Sequence, residues 1–294
     1  MEKRQVVLKN GEVIHYLEQG QGDKTLLLIH GNFSSSQHYT PLFERLPKDI
    51  RVIAPDLRGY GDSSYYRRIS SLQDFADDMA LFMDAKEIKS ACVVGWSLGG
   101  GVALELAANY PKKVSKLILI NSTTHKGYPV FKKDDKGQML FGQIYTSADE
   151  MEKDPVQVAP LLVAQKNKNF VVMNFIFDKT IYTVNKPSQE ENTLWINESL
   201  KQRNLVDADW ALANFNMSDQ HNFYNAGNQN IHKIKIPVLH TWGNMDIVVP
   251  EYMILENVKA LEKYSTYKVY ENCGHSPLVD VPDELTEDIL AFIK

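Results

Sequence analysis

Gly95-Trp96-Ser97-Leu98-Gly99-Gly100 stands between the apolar run Ala91-Cys92-Val93-Val94 and the helical pattern Val102-Ala103-Leu104-Glu105-Leu106-Ala107-Ala108. The run is short and β-branched, as a buried strand is. The pattern after it stops at Asn109-Tyr110-Pro111, where proline ends a helix. Strand, sharp turn and helix are therefore predicted in succession. A serine on such a corner is held in a strained backbone conformation with its hydroxyl outward, and its neighbours must carry little or no side chain. Gly95 and Gly99 meet that demand, which makes Ser97 the candidate nucleophile.

A second buried-strand run, Thr25-Leu26-Leu27-Leu28-Ile29, ends in His30-Gly31-Asn32-Phe33. Acyl transfer builds negative charge on a carbonyl oxygen, and preorganised backbone N–H groups aimed at it lower the barrier by about 2.7 to 4 kcal/mol for one donor, as in subtilisin. The amides of Leu98 and Asn32 are assigned to that task, Leu98 lying at a helix start where the dipole favours an anion. His30 is read as a brace for its loop. Downstream, Ile236-Pro237-Val238-Leu239-His240-Thr241-Trp242-Gly243 reads as a strand leaving into a loop that holds Asp246. Tyr267-Lys268-Val269-Tyr270 reads as the last strand, and His275 follows it in Glu271-Asn272-Cys273-Gly274-His275.

In this order the four motifs resemble the α/β-hydrolase family over nearly the whole chain. The resemblance implies a mostly parallel, twisted sheet flanked by helices, with Ser97 as nucleophile, His275 as general base and Asp246 as the acid that orients it. It also implies Asn32 and Leu98 as oxyanion donors. Members that open epoxides or cleave carbon–halogen bonds carry aspartate at the nucleophile position, so Ser97 argues against those chemistries, although His30-Gly31-Asn32 is similar to the dehalogenase form of that loop. Gly95-Trp96-Ser97 and Asp56-Leu57-Arg58-Gly59-Tyr60-Gly61-Asp62-Ser63 are similar to intracellular short-chain polyhydroxyalkanoate depolymerases. Asp56, Arg58 and Asp62 are read as loop anchors.

Around these motifs the chain starts with Gln5-Val6-Val7-Leu8 and Val13-Ile14-His15-Tyr16-Leu17, joined by an Asn10-Gly11 hairpin signal. Arg51 to Pro55 and Lys116 to Ile120 read as strands, and Ser71 to Met83 as a helix; strands alternating with helices mean a parallel sheet. From 122 to 230 the alternation breaks. Ser147-x-x-Glu150 and Ser188-x-x-Glu191 are capping-box patterns, and Asp207 marks another helix start. The expected organisation is a hydrolase core of residues 1–121 and 231–294 with a helical cap, 122–230, inserted over the nucleophile. Phe33, Trp96 and Trp195 are candidates for the substrate pocket.

With 294 residues, 44% hydrophobic and 23% charged, the chain has ordinary globular composition, and a net charge of −5 leaves no basic footprint for nucleic acid. No apolar stretch suits a membrane span and the N-terminus does not read as a signal sequence, so the expected compartment is the cytoplasm. Cys92 and Cys273 are then reduced packing residues. No metal-ligand spacing or cofactor motif is visible. The expected partner is a small or oligomeric ester: a short-chain, largely apolar substrate cleaved through an acyl-enzyme, with a 3-hydroxyalkanoate ester as the finer suggestion. Lactone opening or carbon–carbon hydrolysis on the same triad stays open, as does a slow-turnover ligand sensor.

Overall fold

The computed structural model describes residues 1–294. Its strands are β1 (Glu2–Val7), β2 (Val13–Gln19), β3 (Thr25–Ile29), β4 (Arg51–Pro55), β5 (Ala91–Trp96), β6 (Val114–Ile120), β7 (Phe131–Lys133), β8 (Met139–Ile144), β9 (Val238–Gly243) and β10 (Ser265–Tyr270). Eight form one sheet in the order β1-β2-β4-β3-β5-β6-β9-β10, while β7 and β8 make a separate hairpin. Only β2 runs against its neighbours; every pair from β4 to β10 is parallel.

The strictly alternating pleat divides each central strand between two cores. Leu27 and Ile29 of β3 join Val93 of β5 and Leu117 and Leu119 of β6 on one face, against α2 (Leu72–Ala85) and α3 (Leu98–Asn109). Leu26 and Leu28, with Val94, Trp96, Ile118 and Ile120, face the other way, against α1 (Thr40–Arg45) and the C-terminal helix (Pro282–Ile293). Burial on both faces is why these strands read as unbroken apolar runs. Ser71 caps α2 as a full capping box: its side chain accepts the Asp74 amide, and the Asp74 carboxylate accepts the Ser71 amide.

Between β6 and β9 lie the β7–β8 hairpin and five helices: α4 (Ala148–Met151), α5 (Ala159–Lys166), α6 (Phe170–Thr180), α7 (Gln189–Ser199) and α8 (Leu205–Asn214). Ala164, Met173, Phe177, Tyr182, Trp195, Ile196 and Leu200 form a small core of this insertion's own, whereas Ala208 and Ala211 of α8 reach into the core under the sheet. Two local readings need correction. Helix α8 begins at Leu205 rather than Asp207, whose carboxylate pairs with Arg68 and Tyr65 inside the first turn. The β7–β8 hairpin gives no strand signal in the sequence because most of Met139–Ile144 is solvent-exposed and its burial does not alternate. No helix is long and apolar enough to cross a membrane.

Candidate active site

β5 turns into α3 through Ser97, whose backbone sits at φ 56°, ψ −121°. Such a conformation persists only where the surroundings over-determine it. Here the Ser97 amide donates to Ile120 O at 3.0 Å, and its carbonyl accepts from Gly100 N at 2.9 Å and Thr123 N at 3.2 Å. The flanking glycines are required by close approach. A Cβ on Gly95 would lie 2.4 Å from Gly99 O, and one on Gly99 only 2.1 Å from Ile29 O. From Ala91 to Ala108 every residue is buried except Ser97, which is part-exposed. No group of the chain hydrogen-bonds its Oγ.

The loop after β3 meets this corner at Gly31, where a Cβ would sit 3.0 Å from Ser97 Cβ. Leu98 opens α3 with no side-chain cap and no acid in the first turn, so its N–H has no partner within the helix. The Asn32 amide likewise has no acceptor in the chain, whereas the next amide, Phe33 N–H, is taken by Gln202 Oε1 at 3.2 Å. His30 does brace the loop: its Nε2 accepts the Leu57 amide at 2.9 Å and its Nδ1 bonds Gly31 O at 2.8 Å. Burial lowers this imidazole to about 4, so it stays neutral. Asp56 and Arg58 are anchors as well. Asp56 accepts the Ser36 and Asp62 amides, and Arg58 makes a buried two-pronged pair with Asp78 at 2.6 and 2.7 Å.

Beyond β9 and β10, Asp246 Oδ2 lies 2.8 Å from His275 Nδ1. A carboxylate only accepts, so Nδ1 carries the proton and Nε2 is left with its lone pair. Four groups hold the acid in place: His275 and Asn121 Nδ2 (2.7 Å) on Oδ2, and the Val248 and Val249 amides (2.8 and 2.9 Å) on Oδ1. Burial works to raise this carboxyl, but the His275 imidazole and these hydrogen bonds outweigh it and hold it below the usual carboxylate range. Asn121 also donates to Gly274 O at 3.0 Å, tying the acid loop to the histidine loop. It stands directly after β6. Its φ of 42° at a strand end is the one local cue, since asparagine tolerates that region.

A second feature invisible in the sequence is the polar network on the Asn32 side chain. Asn32 Nδ2 donates to Asp209 of α8 at 2.9 Å, and its Oδ1 accepts from Tyr60 Oη and Gln202 Nε2, each at 2.8 Å. Insertion residues thus hold the side chain of Asn32, the neighbour of the Gly31 that meets the corner serine. Burial raises the Asp209 carboxyl to about 7, the Asn32 hydrogen bond opposes the rise, and Asp154 adds to it. Because the folded state keeps this proton longer than the unfolded chain does, wild-type stability falls as pH rises from the ordinary carboxyl range to about 7 and then levels. Asp209→Asn removes that loss. Its gain in thermal midpoint over wild type is expected to grow between about pH 4 and pH 7 and to stay flat above, as melts across that range would show.

The three pocket candidates lie in different settings. Phe33 is part-buried at φ 53° and packs against the insertion's core. Trp96 is buried, with its indole N–H on His275 O at 2.9 Å, so it supports the histidine loop from beneath. Trp195 is fully buried in the insertion, stacked on His38 at 5.4 Å between ring centroids.

A sequence profile described as alpha/beta hydrolase fold matches residues 24–282. The chain belongs to the α/β-hydrolase fold family. Among curated relatives, a pimeloyl-[acyl-carrier protein] methyl ester esterase of Vibrio vulnificus is 23% identical over 279 residues, covering 95% of this chain and 97% of that protein. Lipase 1 of Psychrobacter immobilis is 26% identical over 302 residues, covering 99% and 84%. Among solved structures, an esterase from Exiguobacterium antarcticum superposes with a TM-score of 0.75 at 20% identity, covering 99% of both chains. Ser97, Asp246 and His275 all follow the carboxyl ends of parallel strands, β5, β9 and β10.

Proposed function

We propose that this chain is a serine hydrolase that cleaves carboxylic esters through an acyl-enzyme on Ser97, with His275 as general base, Asp246 as its orienting acid, and the Asn32 and Leu98 amides as the oxyanion hole. One observation carries this reading: a strained, part-exposed serine whose hydroxyl no group of the chain engages, on the same sheet end as a buried His275–Asp246 pair. A serine hydroxyl is a poor nucleophile at neutral pH. His275 Nε2 takes its proton as Oγ attacks the ester carbon, and the tetrahedral oxyanion falls between the two amides. The imidazolium, stabilised by Asp246, then protonates the departing alkoxide. Water repeats the cycle and frees the acid.

The insertion, residues 122–230, serves as a cap: it meets the oxyanion loop through Gln202 and Asp209 and supplies Trp195 and Phe177 to the aromatic cluster beside Phe33. An apolar wall of this kind suits a small or short-chain acyl group, and we extend the reading to 3-hydroxyalkanoate esters. Esterase and lipase names among the relatives support the ester class. The test is a panel of p-nitrophenyl esters of rising acyl length beside 3-hydroxybutyrate oligomers. Multiple turnover of the short esters is expected, with kcat/KM declining for long chains; a burst that stalls after about one turnover would contradict it. Oligomers losing to simple esters by orders of magnitude in kcat/KM would remove the hydroxyalkanoate extension.

A further inference from the structure

Eight buried side-chain polar atoms find no hydrogen-bond partner in the chain, and three of them, His38 Nε2, Tyr182 Oη and Trp195 Nε1, fall in one aromatic cluster. Their residues are 2%, 1% and 1% exposed. His38 stacks on Trp195 with 5.4 Å between ring centroids and 22° between planes, and Tyr182 lies 6.3 Å from Trp195. Phe177 closes the group at 6.4 Å from His38 and 5.5 Å from Tyr182. Core and insertion both contribute, since His38 follows the oxyanion loop while the other three come from the inserted segment.

The cluster borders the proposed active site on two sides. Phe33, next to the oxyanion residue, packs against it. On the other side His38 is 6.1 Å from Trp96, whose ring is 5.8 Å from His275 and whose N–H holds the His275 carbonyl. Thr183, the neighbour of Tyr182, reaches the histidine loop: its Oγ1 would be 2.7 Å from a Cβ on Gly274.

The chemistry of the three atoms is specific. The Ser35 amide donates to His38 Nδ1 at 3.2 Å, so the ring proton is on Nε2, which is a donor. Burial lowers this imidazole to about 3 and keeps it neutral. Indole Nε1 can only donate, and the tyrosine hydroxyl can do either. Two obligatory neutral donors and a hydroxyl match an uncharged oxygen, whereas an all-hydrocarbon acyl chain would offer none of the three a partner.

We infer that His38, Tyr182 and Trp195 form a polar subsite for an oxygen carried on the acyl chain, so that the enzyme selects hydroxyacyl esters over plain ones of equal length. This rests on the ester-hydrolase reading above. Sites built to hydrogen-bond a substrate hydroxyl discriminate strongly against the analogue that lacks it.

The test compares p-nitrophenyl 3-hydroxybutyrate with p-nitrophenyl butyrate in wild type and Tyr182→Phe, the variant checked for its thermal midpoint. The substitution removes one hydroxyl and keeps the ring. It is expected to lower kcat/KM for the hydroxy ester by about tenfold or more, with the butyrate value changing less than about threefold. Equal losses on both esters, or none on either, overturn the subsite and mark its atoms as packing or water-bound. A binding readout needs neither turnover nor a folded ring variant. In ¹⁵N-labelled Ser97→Ala, one of the four tryptophan indole resonances, assigned to Trp195 by its proximity to Tyr182 protons, should shift with 3-hydroxybutyrate and not with butyrate. No shift, or the same shift with both, overturns the subsite. A selective shift in a chain that hydrolyses no ester upholds the subsite and removes the ester-hydrolase reading instead.

Discussion

Ser97→Ala is expected to hydrolyse short-chain esters at least a thousandfold more slowly in kcat than wild type, with no loss of thermal stability. Triad members act as a unit, and removing the nucleophile of such a set typically costs about a millionfold in kcat. Only a part-exposed hydroxyl without a partner in the chain is removed, so no internal hydrogen bond is broken. Ser97→Gly should be equally inactive and at least as stable, because glycine adopts φ 56° without the penalty a side chain pays there. Activity in Ser97→Ala above about a hundredth of the wild-type rate would remove Ser97 from the nucleophile role.

Asp246→Asn is expected to lower kcat by about ten-thousandfold while the protein stays folded, the size of effect the same change has in the trypsin-type triad. The arrangement around the carboxylate explains why. Oδ1 would continue to accept the Val248 and Val249 amides at 2.8 and 2.9 Å if the new side-chain oxygen took that place. The new NH2 group would then face two donors, His275 Nδ1–H and Asn121 Nδ2, where Oδ2 had accepted both. The imidazole relieves the conflict by moving its proton to Nε2, and in that tautomer it cannot take the serine proton. Steady-state kinetics and the chemical shifts of the His275 ring nitrogens would report both parts. A nearly wild-type Asp246→Asn would show that another acid orients the base.

Local pattern made the strand–turn–helix corner at Ser97, the loop after β3 and both late strands legible, because each couples a buried apolar run to glycines or a polar residue within a few positions. The central strands carry that signal strongly, being buried on both faces. Residues that act across the chain were not legible. Asn121 matters because the segment after β6 passes both Asp246 and Gly274, which lie 125 and 153 residues away in sequence. Asp209 meets Asn32 only because α8 docks on the loop after β3, across 177 residues. His38, Tyr182 and Trp195 come from three separate segments, and nothing local marks their polar atoms as unpaired. Trp195 reads as a pocket candidate because it is an aromatic residue of the inserted segment, whereas the histidine stacked on it is visible only in the structure. The β7–β8 hairpin escaped because an exposed strand has no buried face to impose alternation.

The most direct measurement is covalent labelling of the folded protein with a fluorophosphonate, which mimics the tetrahedral state and reacts only with a serine that a base activates beside an oxyanion hole. A single adduct on the peptide carrying Ser97, absent in Ser97→Ala and formed far more slowly in Asp246→Asn, is the expected result. An adduct on any other residue, or an unlabelled Ser97 in protein that still turns over esters, would contradict the proposed mechanism.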